Sequence, residues 1–374
     1  MSLALSVEPA VPPTMPHVLV TLDAVGGVWR YAMDLASGLA RHGYRFTFAG
    51  FGPEPRPAQR AEAERIGRLL WFDAPLDWLA RSDAEVAGIP TLIEGIVSDN
   101  DIDIVHLNLP SQAAGLKLDV PVLVVSHSCT VTWFAAVRGT DVPDDWLWQK
   151  RLNHSGMEAA DLVIAPSKSH ADMLRQSYGD IDGLTIVLNG SDASFSPTPK
   201  EPLVFAAGRW WDDGKNGAVL DTAAAQSDWP IVMAGATTGA NGQHLPLTRA
   251  RTLGELPHRE VVDWMARAAI VASPSRYEPF GLAPLEAARA GAALVLADIP
   301  TYRELWDGAA LFAAPDDPQA FAAAINRLAG AESLRSDFAQ RALERSRRYT
   351  LDHQVSAMAA LYRRLLQPQA ARKA

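Results

Sequence analysis

Short apolar runs and longer amphipathic segments alternate along the chain, a pattern typical of parallel α/β sheets. In the first half, runs rich in Val, Ile and Leu predict buried strands at 17–21, 45–49, 69–72, 102–107, 120–125, 162–165 and 184–188. Apolar residues at helical spacing predict helices at 29–41, 84–97 (in part), 146–159 and 166–178. The first half is therefore expected to form one sheet of parallel strands covered by helices.

The same alternation restarts after residues 194–202, where Pro, Ser and Thr crowd the sequence as in a linker. Strands are predicted at 203–207, 231–234, 270–272, 293–296 and 309–312, and helices at 215–225, 258–268, 284–290, 318–328, 332–347 and 351–366. We therefore predict an α/β fold of two parallel-sheet, Rossmann-like domains that face each other across a cleft. The boundary is placed between residues 1–195 and residues 196–349.

Composition narrows the classes of protein that the chain can belong to. Its 374 residues suffice for two domains, and a formal net charge of −9 argues against nucleic-acid binding. The single cysteine cannot form an internal disulfide, which favours a reducing compartment. No apolar run is long enough to span a bilayer, and residues 1–16, predicted to be a loose tail, lack the features of an export signal. We expect a cytoplasmic protein, with peripheral contact at the inner face of a membrane left open.

Candidate chemistry concentrates in residues 273–304, where two glutamates flank a loop and a helix start. Glu278 lies in a Ser-, Pro- and Gly-rich loop after a strand, and Glu286 lies just inside the next helix, which ends at Gly291. A helix start with bare N–H groups attracts phosphate, and carboxylates accept hydrogen bonds from hydroxyl groups. A ligand with both a diphosphate and hydroxyls, such as a nucleotide sugar, fits this combination.

This stretch, Glu-Pro-Phe-Gly-Leu-Ala-Pro-Leu-Glu, resembles the donor-site motif of retaining family 4 glycosyltransferases (glycosyl transferases group 1), which have the GT-B fold. The resemblance implies that Glu278 faces the hydroxyls of the donor sugar and that Glu286 binds the ribose hydroxyls. It also implies that backbone N–H groups near Phe280, Gly281 and Leu282 touch the sugar and phosphate.

Two cations, Arg209 and Lys215, follow the first strand of the second domain. At that position they could neutralise a departing diphosphate, and they match the family's glycine-arginine and lysine-asparagine signatures. The alternative is that both are solvated loop charges. Trp210 and Trp211 depart from the family pattern, which indicates a loop of different shape.

Further donor contacts are implied at Gly26 and Gly27, which resemble the family's glycine turn against the donor phosphate. A purely structural turn is the alternative, and the pattern is not the GxGxxG of nicotinamide-binding proteins. Glu255 and Leu256 match a stretch that lies near the nucleotide base.

Two histidines at strand ends are candidates for the acceptor side of the cleft. The resemblance places His127 near the reacting sugar, where it could hydrogen-bond a hydroxyl without acting as a base. His106 is predicted to line the acceptor cleft. For both, the alternative is an ordinary core or loop histidine.

The resemblance implies a retaining glycosyltransferase of the hexosyltransferase class, in which His127, Glu278, Arg209 and Lys215 surround the reacting bond. It also implies that a C-terminal helix, at about 350–374, crosses back onto the first domain. We expect a UDP-sugar donor, on family frequency, with GDP and ADP open. No metal or other cofactor is expected, because the family requires none and no zinc or calcium pattern is present.

The acceptor, whether a growing polysaccharide, a lipid-linked sugar or a small molecule, is not indicated, although a role in polysaccharide or glycoconjugate synthesis fits the family. Nor does the sequence indicate an oligomeric state. Two alternatives stay open: a catalytically silent subunit that binds nucleotide sugars, and a sugar-nucleotide epimerase of the same fold.

Overall fold

The structure is a computed structural model that describes residues 15–196, 198–239 and 242–367. The predicted N-terminal tail lies almost wholly outside the described residues, and so do residues 368–374 of the predicted C-terminal helix. Seven strands form a first, all-parallel sheet in the order β3-β2-β1-β4-β5-β6-β7. The strands are β1 (His17–Asp23), β2 (Arg45–Phe51), β3 (Arg68–Trp71), β4 (Ile104–Leu107), β5 (Val122–Val125), β6 (Leu162–Ala165) and β7 (Leu184–Ile186).

Helices cover both faces of this sheet, which is why its central strands are buried throughout. They are α1 (Gly27–Ala40), α2 (Pro57–Glu64), α3 (Asp83–Val86), α4 (Ile89–Asp99), α5 (Thr130–Arg138), α6 (Leu147–Ala159) and α7 (Lys168–Tyr178), with 3₁₀ turns at Pro110–Ala113 and Asp144–Trp146. The pattern did not predict α2 and α5. The α5 segment buries only two residues and carries β-branched side chains, so its amphipathic signal is weak.

The second sheet has six parallel strands in the order β10-β9-β8-β11-β12-β13. They are β8 (Glu201–Ala207), β9 (Ile231–Ala234), β10 (Arg251–Gly254), β11 (Ala268–Ser273), β12 (Ala293–Ala297) and β13 (Leu311–Ala313). The edge strand β10 was not predicted, because three of its four residues are exposed and it forms no apolar run. The predicted pair of parallel sheets is otherwise confirmed.

The helices of the second half include one that the sequence pattern missed, Pro300–Trp306. In order they are α8 (Gly217–Ala223), α9 (His258–Arg267), α10 (Leu282–Arg289), α11 (Pro300–Trp306), α12 (Pro318–Ala329), α13 (Glu332–Ser346) and α14 (Leu351–Leu365), with 3₁₀ turns at Asp213–Lys215 and Ala224–Gln226. No helix among the residues that the structure describes is long and apolar enough to cross a membrane.

The last helix, α14, packs against α1 and therefore joins the first sheet and not the second. A Cβ on Gly38 would lie 2.3 Å from Val355 Cγ2, so glycine allows the two helices to approach closely. The N–H of Gly190, which follows β7, donates to Gln354 Oε1 of α14 at 2.9 Å and so ties this helix to the end of the first half. The predicted domain boundary at residue 195 stays a prediction; it falls between β7 and β8.

Direct bonds join the two halves beside the loop after β11. Glu304 accepts hydrogen bonds from the N–H groups of Lys168 (2.9 Å) and Ser169 (2.7 Å), the first two residues of α7. A carboxylate there satisfies donors that a helix start leaves unpaired. Ser167 Oγ donates to the carbonyl of Pro279 at 2.6 Å, and Tyr277 Oη lies 2.8 Å from Thr132 Oγ1. The loop that carries Glu278 is thus anchored to the first half of the chain.

Candidate active-site cleft

A cavity of about 690 Å³ opens between the carboxyl ends of the two sheets. In parallel α/β sheets this end is where ligands bind. Nine of the predicted site residues line it: Gly26, Gly27, His127, Arg209, Lys215, Glu278, Phe280, Gly281 and Leu282. Four other predicted residues, His106, Glu255, Leu256 and Glu286, are not among its lining residues.

Lys215 and Glu278 form an ion pair at the wall of the cavity, with 2.6 Å between Nζ and Oε2. Backbone bonds between their two loops place them together, because Gly214 O accepts the N–H of Arg276 at 2.9 Å. Asp212 in turn accepts the N–H of Gly214 at 2.8 Å and shapes the Lys215 turn. Both side chains of the pair are less than a quarter exposed, so the pair is held in place.

Asn216 holds the loops on which Lys215 and Glu278 lie. It adopts a left-handed backbone conformation (φ +56°), which asparagine tolerates better than most residues. Its buried Nδ2 donates to the carbonyls of Pro274 (3.0 Å) and Pro315 (2.7 Å). The lysine-asparagine signature therefore joins a cation in the cavity to a residue that fixes the loops after β11 and β13.

Helix α10 presents its N-terminus to the cavity without a side-chain cap. Its N-cap is Gly281 in the left-handed region (φ +94°), and a Cβ there would lie 3.0 Å from the Tyr302 ring. The first N–H groups of a helix that lack a cap have no intrahelical partner and carry partial positive charge. An anion at this end of the cavity would satisfy them.

Glu286 lies in α10, buried, with 8% of the residue exposed. No hydrogen bond or ion pair to its carboxyl group is found among the described residues. Burial, and secondarily the nearby Asp34, raise the pKa of Glu286 to about 7, while Arg30 acts in the opposite direction. Arg30 forms ion pairs with Asp34 (2.6 Å) and Glu62 (2.8 Å) and not with Glu286. A buried carboxyl group without a protein partner is uncommon and is available to a ligand.

Arg209 lies in the loop after β8, and its side chain extends across the cleft to the Gly26 turn of the first half. It lies 5.8 Å over the Trp211 ring and 3.6 Å from Asp212, and its Nε is buried without a partner among the described residues. Its neighbour Trp210 is a core residue, 3% exposed, whose Nε1 donates to Ala234 O at 2.9 Å. Trp210 is therefore anchored in the core, and both tryptophans contribute to the lining of the cavity.

A substitution at Gly26 tests whether the position of the Arg209 guanidinium matters for activity. A Cβ on Gly26 would lie 2.4 Å from Arg209 Nη1, at the flexible end of the side chain. We expect Gly26→Ala to fold normally but to displace the guanidinium, lowering kcat/KM about 10- to 100-fold, because small misplacements of charged groups are costly in catalysis. Steady-state kinetics and a thermal melt measure the two effects.

A matched control is Gly95→Ala, on the exposed side of α4, where an added Cβ meets nothing within 4 Å. It should keep full activity and gain up to about 1 kcal/mol of stability from helix propensity. Equal activity in the two variants would show that the contact between Arg209 and the glycine turn has no role.

His127 is neutral in this environment. Burial lowers its pKa to about 3, with His106 and His170 adding to the shift. Asn108 Nδ2 donates to Thr21 O at 2.6 Å, so Asn108 Oδ1 accepts from His127 Nε2–H at 2.8 Å. Nδ1 of His127 is then an acceptor, able to receive a hydrogen bond from a sugar hydroxyl but poorly suited to take up a proton.

The prediction that His106 lines the acceptor cleft is wrong. His106 is fully buried, and its Nδ1 lies 2.6 Å from Tyr362 Oη of α14. Burial lowers its pKa to about 4, so it is a neutral core histidine. Glu255 is exposed, 3.8 Å from Arg56, and neither it nor Leu256 lines the cavity. Their role near a nucleotide base stays a prediction.

The sequence interpretation missed several lining residues of the first half. Asp23 ends β1 and accepts the N–H of Val25 at 2.8 Å, which shapes the glycine turn. Asp77 accepts from Ser111 Oγ at 2.6 Å, and burial raises the pKa of both aspartates. Tyr31 is 6% exposed, and its hydroxyl has no partner among the described residues. Asp23 could have been noticed beside Gly26, whereas no motif marks Asp77.

Two family models match consecutive parts of the chain. Residues 25–195 match the model described as Glycosyltransferase Family 4, and residues 200–345 match Glycosyl transferases group 1. A D-inositol 3-phosphate glycosyltransferase of Xylanimonas cellulosilytica is 27% identical, over 90% of this chain and 91% of that protein. A glycogen synthase of Mycobacterium tuberculosis is 24% identical, over 74% and 75% of the two chains.

Solved structures of similar fold cover nearly the whole chain. A sucrose-phosphate synthase of Thermosynechococcus elongatus superposes with a TM-score of 0.77 at 17% identity, over 94% of this chain and 99% of the other. HepE of Anabaena, crystallised with UDP and glucose, gives a TM-score of 0.73 at 18% identity, over 92% and 99%. At these identities the likeness concerns the fold.

Proposed function

Because the chain belongs to the group 1 glycosyl transferases and is a glycosyltransferase with the GT-B fold, we propose that it transfers a hexose from a nucleotide diphosphate sugar to a hydroxyl acceptor. We further propose that the donor lies in the cavity between the two sheets and that the anomeric configuration is retained. The observation that carries the proposal is the convergence of Lys215, Glu278 and the α10 N-terminus on one wall of the cavity.

The diphosphate and the sugar of the donor can be assigned to residues that line the cavity, whereas the proposed ribose partner, Glu286, lies one turn further along α10 than the lining residues Leu282 and Ala283. The diphosphate would lie against Lys215, Arg209 and the uncapped start of α10, where positive charge is concentrated. The sugar would meet Glu278, and the ribose hydroxyls would reach Glu286, whose carboxyl group has no partner among the described residues. A UDP-sugar is favoured because the similarly folded HepE of Anabaena was crystallised with UDP and with UDP-glucose.

The proposed reaction breaks the bond between the anomeric carbon and the diphosphate oxygen. Arg209 and Lys215 stabilise the charge that develops on the departing diphosphate, so no metal is required in this scheme. Glu278 is held by Lys215 at 2.6 Å, which leaves it better placed to orient a sugar hydroxyl than to attack carbon. The acceptor hydroxyl would approach the face that the diphosphate leaves and pass its proton to a phosphate oxygen.

A thermal-shift series tests the donor assignment. Ligands that bind the folded state stabilise it, by about 2.7 kcal/mol at a ligand concentration 100-fold above Kd. We expect the apparent Tm to rise with UDP-glucose and less with GDP- or ADP-glucose, and the rise to shrink in Lys215→Ala. A Tm unchanged by every nucleotide and nucleotide sugar would refute the donor site.

A further inference from the structure

The wall of the cavity contributed by the first half has an electrostatic character opposite to that of the donor wall. Asp23 and Asp77 both line it, at 5% and 6% exposure. Burial raises the pKa of Asp23, Arg209 acts in the opposite direction, and the nearby Asp77 adds to the increase. Buried carboxyl groups repel a further anion and accept hydrogen bonds from hydroxyl groups.

Arg209 partly offsets Asp23, since it lowers the pKa of that carboxyl group, whereas no cation among the described residues acts on the pKa of Asp77. Among the described residues, the cavity is lined by three cations: Arg138, Arg209 and Lys215. Lys215 is paired with Glu278, and Arg209 extends beside the glycine turn. Arg138 is paired with Asp213 and lies 5.1 Å from the Trp133 ring centroid. The donor diphosphate would engage the first two, so no unpaired cation is left for an acceptor phosphate.

The rest of this wall has the features of a polyol site. Tyr31 is more than nine-tenths buried and lines the cavity, and its hydroxyl has no partner among the described residues. Trp133 and Phe134 contact each other edge to face at 5.2 Å, and Phe134 reaches Trp146 at 6.0 Å. Aromatic faces pack against the apolar C–H faces of sugars, while carboxylates and hydroxyls bind their edges.

We propose that the acceptor is an uncharged, hydroxyl-rich molecule, a sugar or polyol without phosphate, and that Asp77 selects it by accepting hydrogen bonds from its hydroxyls. The inference rests on the proposed function, since it names the acceptor class of the same cleft. It sets this protein apart from the relative named for inositol 3-phosphate, whose name specifies a phosphorylated molecule.

Matched acceptor pairs provide the test: glucose and glucose 6-phosphate, myo-inositol and its 3-phosphate, and maltose and its phosphate, each with a saturating UDP-sugar. We expect the neutral member of a pair to be used with at least about 10-fold higher kcat/KM, because a phosphate would be buried beside carboxylates. Asp77→Asn should lower transfer to the neutral member and narrow the preference, while the donor-induced rise in Tm persists.

Asp73→Asn, at an exposed aspartate of the same loop region, is the matched control and should change neither quantity. Preference for the phosphorylated member overturns the proposal, and so does failure of every neutral acceptor while the donor still binds. An Asp77→Asn variant that keeps the wild-type preference also overturns it. Loss of donor binding in the wild-type protein would instead refute the proposed function.

Discussion

Lys215→Ala is expected to lower kcat about 10²–10³-fold, the usual cost of removing one preorganised group that stabilises transition-state charge. Lys215 lines the cavity with its ammonium group 2.6 Å from Glu278, on a loop fixed by backbone bonds and by Asn216. The substitution removes the cation and also leaves Glu278 without its ion pair. Single-turnover kinetics with saturating donor separate the loss in the chemical step from any loss in binding.

Lys117→Ala is the control, because Lys117 is exposed on the first half of the chain and does not line the cleft. It should retain the wild-type kcat. Restoration of part of the rate by Lys215→Arg would support a role for positive charge, although the guanidinium has a different shape. A Lys215→Ala enzyme with normal kcat would show that the diphosphate leaves elsewhere.

Donor affinity is expected to rise with pH through about 7, because Glu286 must be ionised to accept hydrogen bonds from two ribose hydroxyls. The pKa of Glu286 is about 7 in the free protein. The ionised fraction, and with it the affinity, therefore increases about 10-fold between pH 6 and pH 8. Both phosphates of a nucleotide diphosphate sugar stay ionised throughout this range. Donor Kd measured against pH by calorimetry tests this dependence.

Protein stability should change in the opposite direction. A raised carboxyl pKa contributes stability that is present below the unfolded value near 4.5 and is lost as pH rises through about 7. Glu286→Gln should remove both effects, giving weaker donor binding that no longer varies with pH and a flatter stability profile. Glu332→Gln, at an exposed glutamate, should retain both. Donor affinity that falls as pH rises would contradict the assignment of Glu286 to the ribose.

The sequence pattern predicted the strands that are buried on both faces, because their apolar runs need no knowledge of distant partners. It missed β10, an exposed edge strand, and α5, whose amphipathic signal is weak. In both elements, contacts with the rest of the chain decide the local structure. The predicted pair of parallel sheets did not depend on either element.

The candidate site was predictable where residues sit on loops at strand ends, as Lys215 and Glu278 do. The burial of His106 in the core could not be predicted, because its hydrogen-bond partner, Tyr362, lies 256 residues further along the chain. Asp77 was missed for a similar reason: its hydrogen bond to Ser111 spans 34 residues, and no local pattern marks it. Residues of the acceptor wall are brought together by the fold, so spacing in the sequence carries little information about them.

A crystal structure of the protein saturated with a UDP-sugar would show directly where the donor binds. We expect ligand density in the cavity between the sheets, with the diphosphate within hydrogen-bond distance of Lys215 and the α10 N-terminus. We also expect the ribose hydroxyls on Glu286 and the sugar beside Glu278. A donor bound outside this cavity, or bound in it with its diphosphate away from Lys215, would show that the proposed donor site is wrong.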